Sequence, residues 1–592
     1  MCCSRVVVCW LLISSALAAL AASAPEGCKK LSVDSDWPSV DVWNTELKGN
    51  EPRGPQKSWT APDYTFEASR VPHVQTAVKF AAKHNVRLSV INSGHDYVAR
   101  NDAPSGIRLS VTDLKGIRIL ESFQPTPKGA ESVDKTTKVN TIKPIAGKQA
   151  AVTIGAGITI DELNKALKPS NLYAIGAAHG SVSVAGGWAQ SGGHAPLSSY
   201  YGLGVDQVLE YKVVTANGSL VIANPTNNQD LFWALRGGGP STFGVVVEAT
   251  VKVHPFPKII SYSFWLNTTD YDDTHSIFTP AAYLFSQLPR LNKENGIQGY
   301  YYIHRNALSA NWLIPNEFAN ASAIIAAMDP IIAKMTAMPG INAKSLIKIP
   351  PTVLNTTALG SLQSGDGGQS SSIPPKPPAH LVRRHGPGEM RAMAKGNIAM
   401  DSRLLGADEL THPDLAKALE KAIGTLPNAQ LRNHLTGGGA VLKNDPNTSV
   451  LPAWRKTYVH MIAAAAAGEP NLQAMRDISP NMGAYVNEAS VKNPNWKHDF
   501  WGANYAKLAE LKTKWDPDFV FYVTPGINAD LMEVKEGRLC RVKGAPAKLA
   551  QDMAPKSDNA NEGEHEKART SWPLLYMGKG VPPKMVAGAK GM

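Results

Sequence analysis

The sequence predicts an α+β protein built from two lobes. At 592 residues the chain is longer than a single hydrophobic core usually supports. Short runs rich in valine and isoleucine alternate with helix-like stretches between about residues 71 and 255. Beyond them, alanine-rich stretches alternate with strand-like ones up to about residue 480. Hydrophobic residues make up 43% and charged residues 18% of the chain, which is ordinary for a globular protein and argues against gross disorder.

The first residues have the features of a secretory signal peptide. Arg5 precedes a short apolar run, and small residues follow at Ala19-Leu20-Ala21 and at Ala22-Ser23-Ala24. The apolar run is too short to span a membrane comfortably. We therefore predict removal of residues 1–24, a secreted, extracellular mature protein and no membrane anchor.

Cysteine usage agrees with secretion. Only Cys28 and Cys540 remain once residues 1–24 are removed. An oxidising compartment favours a disulfide between them, and the alternative is two separate buried thiols. Sequons for N-glycosylation, which also arise by chance, occur at Asn217, Asn267, Asn320, Asn355 and Asn447.

The elements of the first lobe follow from its sequence periods. "VPHVQTAVKFAAKHN" and "ITIDELNKALKPS" have the apolar period of helices. The strands are "VRLSVI", "AVTIGAG", "YKVVTANGSLVIA" and "GVVVEATVKVH". This order predicts an α+β domain over residues 66–257, preceded by an N-terminal segment, 25–65.

The second lobe, residues 258–480, is predicted to combine helices with strands. "ANASAIIAAMDPIIAKMTAM" and "HMIAAAAAG" favour helices, and "NGIQGYYYIHR" favours a strand. "GSLQSGDGGQSSSIPPKPPAH" predicts a flexible surface loop. Within residues 481–545, "WGANYAKLAELKTKWDPDFVFYV" predicts a helix that stops at Asp-Pro and is followed by a strand. Residues 546–592 form a polar tail that is expected to fray.

Charge and motif patterns argue against several functions. The net charge is +11, but the basic residues are scattered and do not interleave with aromatics, which argues against nucleic-acid binding. No metal-ligand cluster is apparent, and no metal site is predicted.

Glycine-dense stretches in the first lobe predict a nucleotide cofactor. They are "INSGHDYVAR", "IGAAHGSVSVAGGWAQSGGHAPLSSYYGLGVDQV" and "WALRGGGPSTFGVVVE". Glycine lets the backbone approach a ligand closely and exposes N–H groups to phosphate. A Rossmann fingerprint at Gly155 and Gly157 is disfavoured, because Ile160 stands at the third glycine position and the acidic residue is missing.

Taken together, these motifs resemble the FAD-linked oxidoreductases of the berberine-bridge-enzyme type, in the vanillyl-alcohol-oxidase superfamily, and most closely their secreted fungal members. The resemblance runs from "DWPSVDVWN" to "GRLCR". It implies a two-lobed fold with a PCMH-type FAD domain, a substrate domain of antiparallel sheet and helices, and a C-terminal segment that returns to the FAD domain.

The resemblance implies one covalent link to FAD, through His95. Relatives often add a second link through a cysteine, but His179 stands there, so FAD is expected to be attached once. His179 is expected either to line the pocket or to pack. Valine at 182 is the residue that goes with oxygen access in the family. Further expected FAD-binding residues are Ser93, Gly94, Asp96, Ser181, Val182, Gly186, Gly187, Gly244, Val246 and Asn504.

The chain departs from the family's sequence pattern in two places. Ala99, Arg100 and Asn101 follow "SGHDY" where relatives often have glycine, arginine and serine, which reduces backbone freedom at that turn. Asn504 matches the asparagine of the family's "N-x-x-R-L" element, whose arginine is Lys507 here, and Asn504 is expected near the flavin or packing the returning helix. His194 is assigned a structural role.

The implied reaction is hydride transfer from a carbon bearing a hydroxyl or amine to the flavin, with proton loss to a base. Tyr485, in what resembles the family's tyrosine-containing strand, is the first candidate base, Glu488 the second, and Asn487 accompanies them. We predict a monomeric oxidase whose partners are a small alcohol, either a sugar or a secondary metabolite, and O2. The alternatives are a dehydrogenase or oxidative cyclase, and a catalytically idle binding module.

Overall fold

The computed structural model describes residues 23–47, 62–101, 103, 105–270, 272–354, 399–424, 429–443, 445, 447–465 and 470–545. The predicted signal peptide up to residue 22, the Ser/Gly/Pro-rich stretch 360–380, the sequon at Asn355 and the tail from residue 546 lie outside these residues. Among the described helices, none has the length and apolar composition needed to cross a bilayer.

Within the described residues, the first lobe contains two larger sheets and a two-stranded antiparallel sheet of β10 and β6. β1, β3 and β2 form a parallel sheet in that order, and an antiparallel sheet has the order β4-β5-β9-β7-β8. β5 and β9 are rich in β-branched residues and buried almost throughout, as expected for strands inside a sheet. The strands are β1 (Tyr64–Glu67), β2 (Leu88–Ile91), β3 (Ile107–Ser110), β4 (Ile117–Leu120), β5 (Ala151–Gly155), β6 (Leu172–Tyr173), β7 (Val208–Val214), β8 (Leu220–Ala223), β9 (Val245–Lys252) and β10 (His254–Pro255).

Helices cover this lobe, and their ends follow local sequence rules. Thr159 and Glu162 form a reciprocal capping box at the start of α3. The first lobe's helices are α1 (Val40–Glu46), α2 (Val71–His84), α3 (Ile160–Leu167), α4 (Gly187–Gln190), α5 (Ser198–Tyr201), α6 (Gly204–Gln207) and α7 (Gln229–Leu235). α2 and α3 confirm the predicted helices.

The second lobe is a seven-stranded antiparallel sheet with its own apolar core. Its order is β14-β11-β13-β12-β16-β17-β15. The strands are β11 (Ile259–Thr268), β12 (Gln298–His304), β13 (Ala307–Pro315), β14 (Ile341–Leu354), β15 (Ala399–Gly406), β16 (Gln430–Leu435) and β17 (Thr457–Ala465). The helices are α8 (Phe278–Asn295), α9 (Ala321–Thr336), α10 (Ala407–Leu410), α11 (Leu415–Ile423) and α12 (Gln473–Ile478).

The C-terminal segment packs on the first lobe. It contains α13 (Trp496–Trp501), α14 (Tyr505–Trp515), β18 (Met532–Lys535) and β19 (Arg538–Arg541). Trp501 Nε1 donates to Gly237 O at 3.2 Å, and Lys512 Nζ donates to Thr242 O at 2.8 Å. Cys28 and Cys540 form the predicted disulfide, which joins the two ends of the described chain. The two-lobed α+β fold is therefore confirmed.

Three local predictions are wrong. Residues 460–465 of "HMIAAAAAG" belong to strand β17, because pairing with β15 and β16 on both sides outweighs the helical preference of alanine, and the rest of that stretch lies outside the described residues. Tyr485 is not in a strand but precedes a 3-10 helix, Val486–Glu488. "DFVFYV" forms only an isolated bridge, Phe521 to Leu88. There the Asp516 carboxylate accepts the N–H groups of Val520 and Phe521, so a strand partner cannot use them.

Candidate active site

A cavity lies between the glycine-rich loops of the first lobe and one face of the second lobe's sheet. It contains about 1470 Å³ of space, part of it open to solvent. On the sheet face, Tyr300 of β12 lies opposite His434 of β16, which lies opposite His460 of β17. Tyr302 and Arg432 form the adjacent pair and also line the cavity. Strand register therefore places polar and aromatic side chains together on one wall.

Glycine brings the backbone of the opposite wall close to the cavity. Gly94 has a φ of +77°, a left-handed conformation that side chains rarely adopt. A Cβ on Gly244 would lie 2.6 Å from Val213 Cγ1 and 2.8 Å from Val214 O. Side chains at these two positions would strain or displace the loops, so the loops approach the cavity only with glycine there.

His95 lies on the first-lobe wall and is hydrogen-bonded through one ring nitrogen. Its Nε2 lies 2.6 Å from Ser181 Oγ, and Ser181 Oγ lies 2.8 Å from His179 Nδ1. Burial, followed by the charge of His179, lowers the pKa of His95 to about 4. The imidazole of His95 is therefore neutral near neutral pH, which is the nucleophilic form.

A chain of hydrogen bonds links this wall to the C-terminal segment. Arg100 pairs with Asp96 at 3.0 Å and donates to Asn487 Oδ1 at 2.6 Å. Asn487 Nδ2 in turn donates to the Tyr485 hydroxyl at 2.6 Å and to Gly187 O at 3.2 Å. The chain fixes Tyr485 and Asn487 relative to the loops that carry His95.

The turn before Arg100 adopts a left-handed conformation at Ala99, the position where relatives often have glycine. Ala99 has a φ of +56°. Alanine adopts this left-handed region at some cost in strain. The bonds from Arg100 to Asp96 and Asn487 hold the turn in place, although it lacks glycine.

Glu488 lies on the cavity wall among histidines. Its Oε2 is 3.0 Å from His194 Nε2 and 3.6 Å from His460 Nδ1. Burial opposes its ionisation, but the interactions with His194, together with the charges of His460 and Arg432, outweigh burial and hold the pKa of the Glu488 carboxyl below its usual value. Burial and then the charge of Glu488 raise the pKa of the Tyr485 phenol, so Tyr485 is neutral.

Most of the residues predicted from the sequence meet at this cavity. Ser181 lies behind His95, whereas Asn504 lies away from the cavity wall and donates to Val450 O at 3.0 Å. Their roles stay predictions. The predicted residues that line the cavity are Ser93, Gly94, His95, Asp96, His179, Val182, Gly186, Gly187, Gly244, Val246, Tyr485, Asn487 and Glu488.

Sequence reasoning missed much of the second-lobe wall. Successive side chains of a strand point to opposite faces of the sheet, so "GYYYIH" could have indicated that Tyr300 and Tyr302 share one face. Tyr301 between them belongs to the apolar core, and Tyr300 and Tyr302 line the cavity. Arg432 and His434 carry no comparable signal. His194, which was assigned a structural role, also lines the cavity.

These features fit a flavin nucleotide. The glycine loops allow close backbone approach, and a neutral imidazole is available beside them. Gln190 lines the cavity, and its buried Oε1 has no hydrogen-bond partner within the described part of the chain. A buried acceptor of this kind is suited to a ligand donor such as an N–H or hydroxyl group.

The family profiles that match are described as "FAD binding domain", over residues 62–224, and "Berberine and berberine like", over residues 484–528. An uncharacterized FAD-linked oxidoreductase of Arthroderma benhamiae is 31% identical over 558 residues, which cover 87% of this chain and 88% of the relative.

Solved structures share the fold. The VAO-type flavoprotein MtVAO713 from Myceliophthora thermophila C1 has a TM-score of 0.70 at 22% identity, covering 88% of this chain and 100% of that one. The glucooligosaccharide oxidase from Acremonium strictum, described as carrying 6-S-cysteinyl, 8α-N1-histidyl FAD, has a TM-score of 0.59 at 17% identity, covering 83% and 99%.

Proposed function

The chain belongs to the FAD-linked oxidoreductases of the berberine-bridge-enzyme type, and from this premise we propose that it is a secreted oxidase of small alcohols with one covalent bond to FAD. One observation carries this proposal. The cavity has the neutral imidazole of His95 on its first-lobe wall and is also lined by the Tyr485, Asn487 and Glu488 side chains of the C-terminal segment. A flavin held by the first-lobe wall would meet a substrate held by these three side chains.

His95 is the proposed attachment residue. Ser181 engages Nε2 at 2.6 Å, which leaves Nδ1 to bond the 8α-methyl carbon of FAD. The histidyl FAD of the Acremonium strictum oxidase supports this kind of bond. No cysteinyl bond is proposed, because the family resemblance puts His179 where relatives have that cysteine, and Cys28 and Cys540 are joined in the disulfide.

The proposed chemistry divides between the cofactor and the chain. When bound, FAD would supply the redox chemistry, which is acceptance of a hydride from the carbinol carbon and reoxidation by O2 to give H2O2. Glu488 takes the hydroxyl proton, because its carboxylate lies on the cavity wall with His194 behind it at 3.0 Å. The Tyr485 hydroxyl, positioned by Asn487, binds the substrate oxygen.

Val182 supports oxidase activity over dehydrogenase activity. It lines the cavity on the flavin side, and valine leaves more space there than leucine. The wall formed by Tyr300, Tyr302 and Arg432 supplies aromatic faces and hydrogen-bond donors, which suits a sugar or a phenolic metabolite. The enzyme is proposed to act as a monomer on this substrate and O2.

The sequons are compatible with secretion. Asn217, Asn320 and Asn447 are exposed and accessible to glycosylation, whereas the side chain of Asn267 is buried and accepts a bond from Trp265 Nε1. Glycans are therefore expected at exposed sites and not at Asn267.

The test is to secrete the protein, denature it and locate the flavin by fluorescence and peptide mass spectrometry. Oxygen uptake and peroxide release are then measured with sugars and with aromatic alcohols. We expect flavin on the His95 peptide and peroxide equal to the oxygen consumed. Flavin reduction without oxygen uptake would identify a dehydrogenase or oxidative cyclase, and a protein without flavin would overturn the proposal in favour of a binding module.

A further inference from the structure

Four side chains from distant parts of the chain meet at one end of the cavity wall and form what we call the histidine cluster: His194, His434, His460 and Glu488. His194 follows α4, His434 and His460 lie opposite each other on β16 and β17, and Glu488 ends the 3-10 helix. One nitrogen or oxygen atom of each residue lies within 4.8 Å of those of the others.

The cluster has unsatisfied nitrogen atoms. The His460 side chain is fully buried, and neither of its ring nitrogens has a hydrogen-bond partner among the residues that the structure describes. Within the same described residues, His194 Nδ1 and His434 Nδ1 also lack partners. Buried polar atoms without partners are rare in proteins, and a bound ion is one of the few reasons that they persist.

The surroundings favour ligation over simple packing. The Tyr300 ring stacks on His434 with centroids 4.0 Å apart, and the Trp454 ring stacks near His194 at 6.3 Å. These aromatic rings pack against the imidazoles of His434 and His194 and restrict their orientations. Pre-oriented imidazoles are a general requirement of metal sites, since mobile ligands would lose conformational entropy on binding.

We propose that the histidine cluster binds one divalent transition-metal ion, with zinc as the ion that its ligands fit best. Three imidazole nitrogens and one carboxylate oxygen form a four-coordinate set of the kind that zinc accepts, whereas Mg²⁺ and Ca²⁺ prefer oxygen ligands. Bond lengths of about 2.0–2.2 Å place tetrahedral ligand atoms about 3.4 Å apart. The four ligand atoms of the cluster would therefore have to move only a short way toward the ion.

The ion would join three parts of the molecule. His194 belongs to the first lobe, His434 and His460 to the sheet of the second, and Glu488 to the C-terminal segment. Because Glu488 also faces the cavity, a substrate hydroxyl could displace it from the ion. The released carboxylate would then lie beside the hydroxyl group whose proton it accepts, and the ion would polarise that group.

Metal analysis of the secreted holoenzyme tests the proposal, with a purification tag that lacks histidine. We expect about one zinc ion per chain in the wild type and about tenfold less or lower in His434→Ala and His460→Ala, because each loses a ligand. The control is His275→Ala, which removes an exposed histidine paired with Glu420 and leaves the metal content unchanged. Zinc retained in both cluster variants would show adventitious surface binding and overturn the site.

A second measurement does not depend on the folding of variants. Wild-type protein is treated with a chelator, given Co²⁺ and examined for the ligand-field absorption of tetrahedral cobalt and for a rise in Tm. Failure to bind Zn²⁺ or Co²⁺ while the flavin is retained overturns the metal site alone. Metal in the cluster of a protein without flavin would instead contradict the proposed oxidase and leave the metal site standing.

Discussion

At the scale of the residue, the environment of His95 fits the proposed bond to FAD. Its imidazole is buried beside His179 and is held through Nε2 by Ser181. Burial disfavours the charged form, so the reactive neutral form dominates near neutral pH. Ser181 therefore affects which ring nitrogen of His95 is available, and His179 acts on that contact through its own bond to Ser181.

Replacement of His95 by alanine should abolish covalent flavin and leave part of the FAD bound. The glycine loops that approach the cavity are unchanged in this variant, so they still hold the nucleotide. In-gel fluorescence after denaturation should show no flavin on the protein, while the native variant remains yellow. Covalent flavin in His95→Ala would exclude His95 as the attachment residue.

The lowered pKa of His95, about 4, gives flavin attachment a flat pH dependence. Apoprotein mixed with FAD should acquire covalent flavin at the same rate from pH 6 to pH 8. A histidine with an ordinary pKa of about 6.5 would be only about one quarter neutral at pH 6, and attachment would slow about fourfold. A fourfold fall in the attachment rate at pH 6 would show that burial does not lower the pKa of His95 as described.

The two candidate proton acceptors can be separated by anaerobic flavin reduction. Glu488→Gln should slow reduction by about 10²-fold or more, as for loss of a general base. Tyr485→Phe should slow it by about tenfold, as for loss of one hydrogen bond to the substrate. Both variants should keep their FAD. A larger effect of Tyr485→Phe would assign the proton transfer to Tyr485.

At the scale of the element, α14 is anchored to the first lobe through Lys512, which also forms a buried ion pair with Asp516 of its own segment. Lys512 Nζ lies 2.6 Å from Asp516 Oδ2, and both side chains are almost fully buried. Lys512 also donates to Thr242 O and Phe521 O at 2.8 Å each. The same Asp516 carboxylate holds the backbone that follows the helix.

Lys512→Met should therefore destabilise the protein by about 3–5 kcal/mol, because it leaves the Asp516 charge buried without its partner. Lys514→Met is the matched control: the Lys514 side chain is 62% exposed and pairs with Asp230, so its loss should cost about 0–1 kcal/mol. Urea unfolding followed by tryptophan fluorescence measures both. Equal midpoints for the two variants would contradict the anchoring role of Lys512.

The elements that the sequence predicts well are those whose pattern agrees with their tertiary context. α2 and α3 have clear apolar periods, and β9 is uniformly rich in β-branched residues. The sequence predicts a helix where β17 lies, because the alanines of this strand favour helix locally. The strands that pair with β17, β15 and β16, are not adjacent to it in sequence. The helix preference of single residues therefore carries no information about pairing with such strands.

At the scale of the whole molecule, the first-lobe half of the site is predictable and the second-lobe half is not. His95 and the glycine loops lie in short contiguous motifs. His194, His434, His460 and Glu488 are separated by up to 294 residues and meet only through the fold, so no spacing rule reveals them.

The disulfide acts at this scale, because it closes a loop across 512 residues of sequence. The double variant Cys28→Ser/Cys540→Ser should unfold at a lower urea concentration, with a loss of about 2–5 kcal/mol. The flavin content should not change, since neither cysteine lines the cavity. An unchanged unfolding midpoint would show that β18, β19 and the N-terminal segment hold together without the covalent bond.

The Cα atoms of Cys28 and Cys540 lie only 3.9 Å apart. Residues near the two ends of the folded body could therefore be joined by a short linker, and the chain could be opened at an exposed turn such as Asn316–Phe318, between β13 and α9. Such a circular permutant would keep every cavity residue in place, while β14 to β17 would be synthesised before the first lobe and β11 to β13 after it. The fold therefore offers a means of asking whether the strands of the second lobe must be made as one continuous block before that lobe can assemble on the first.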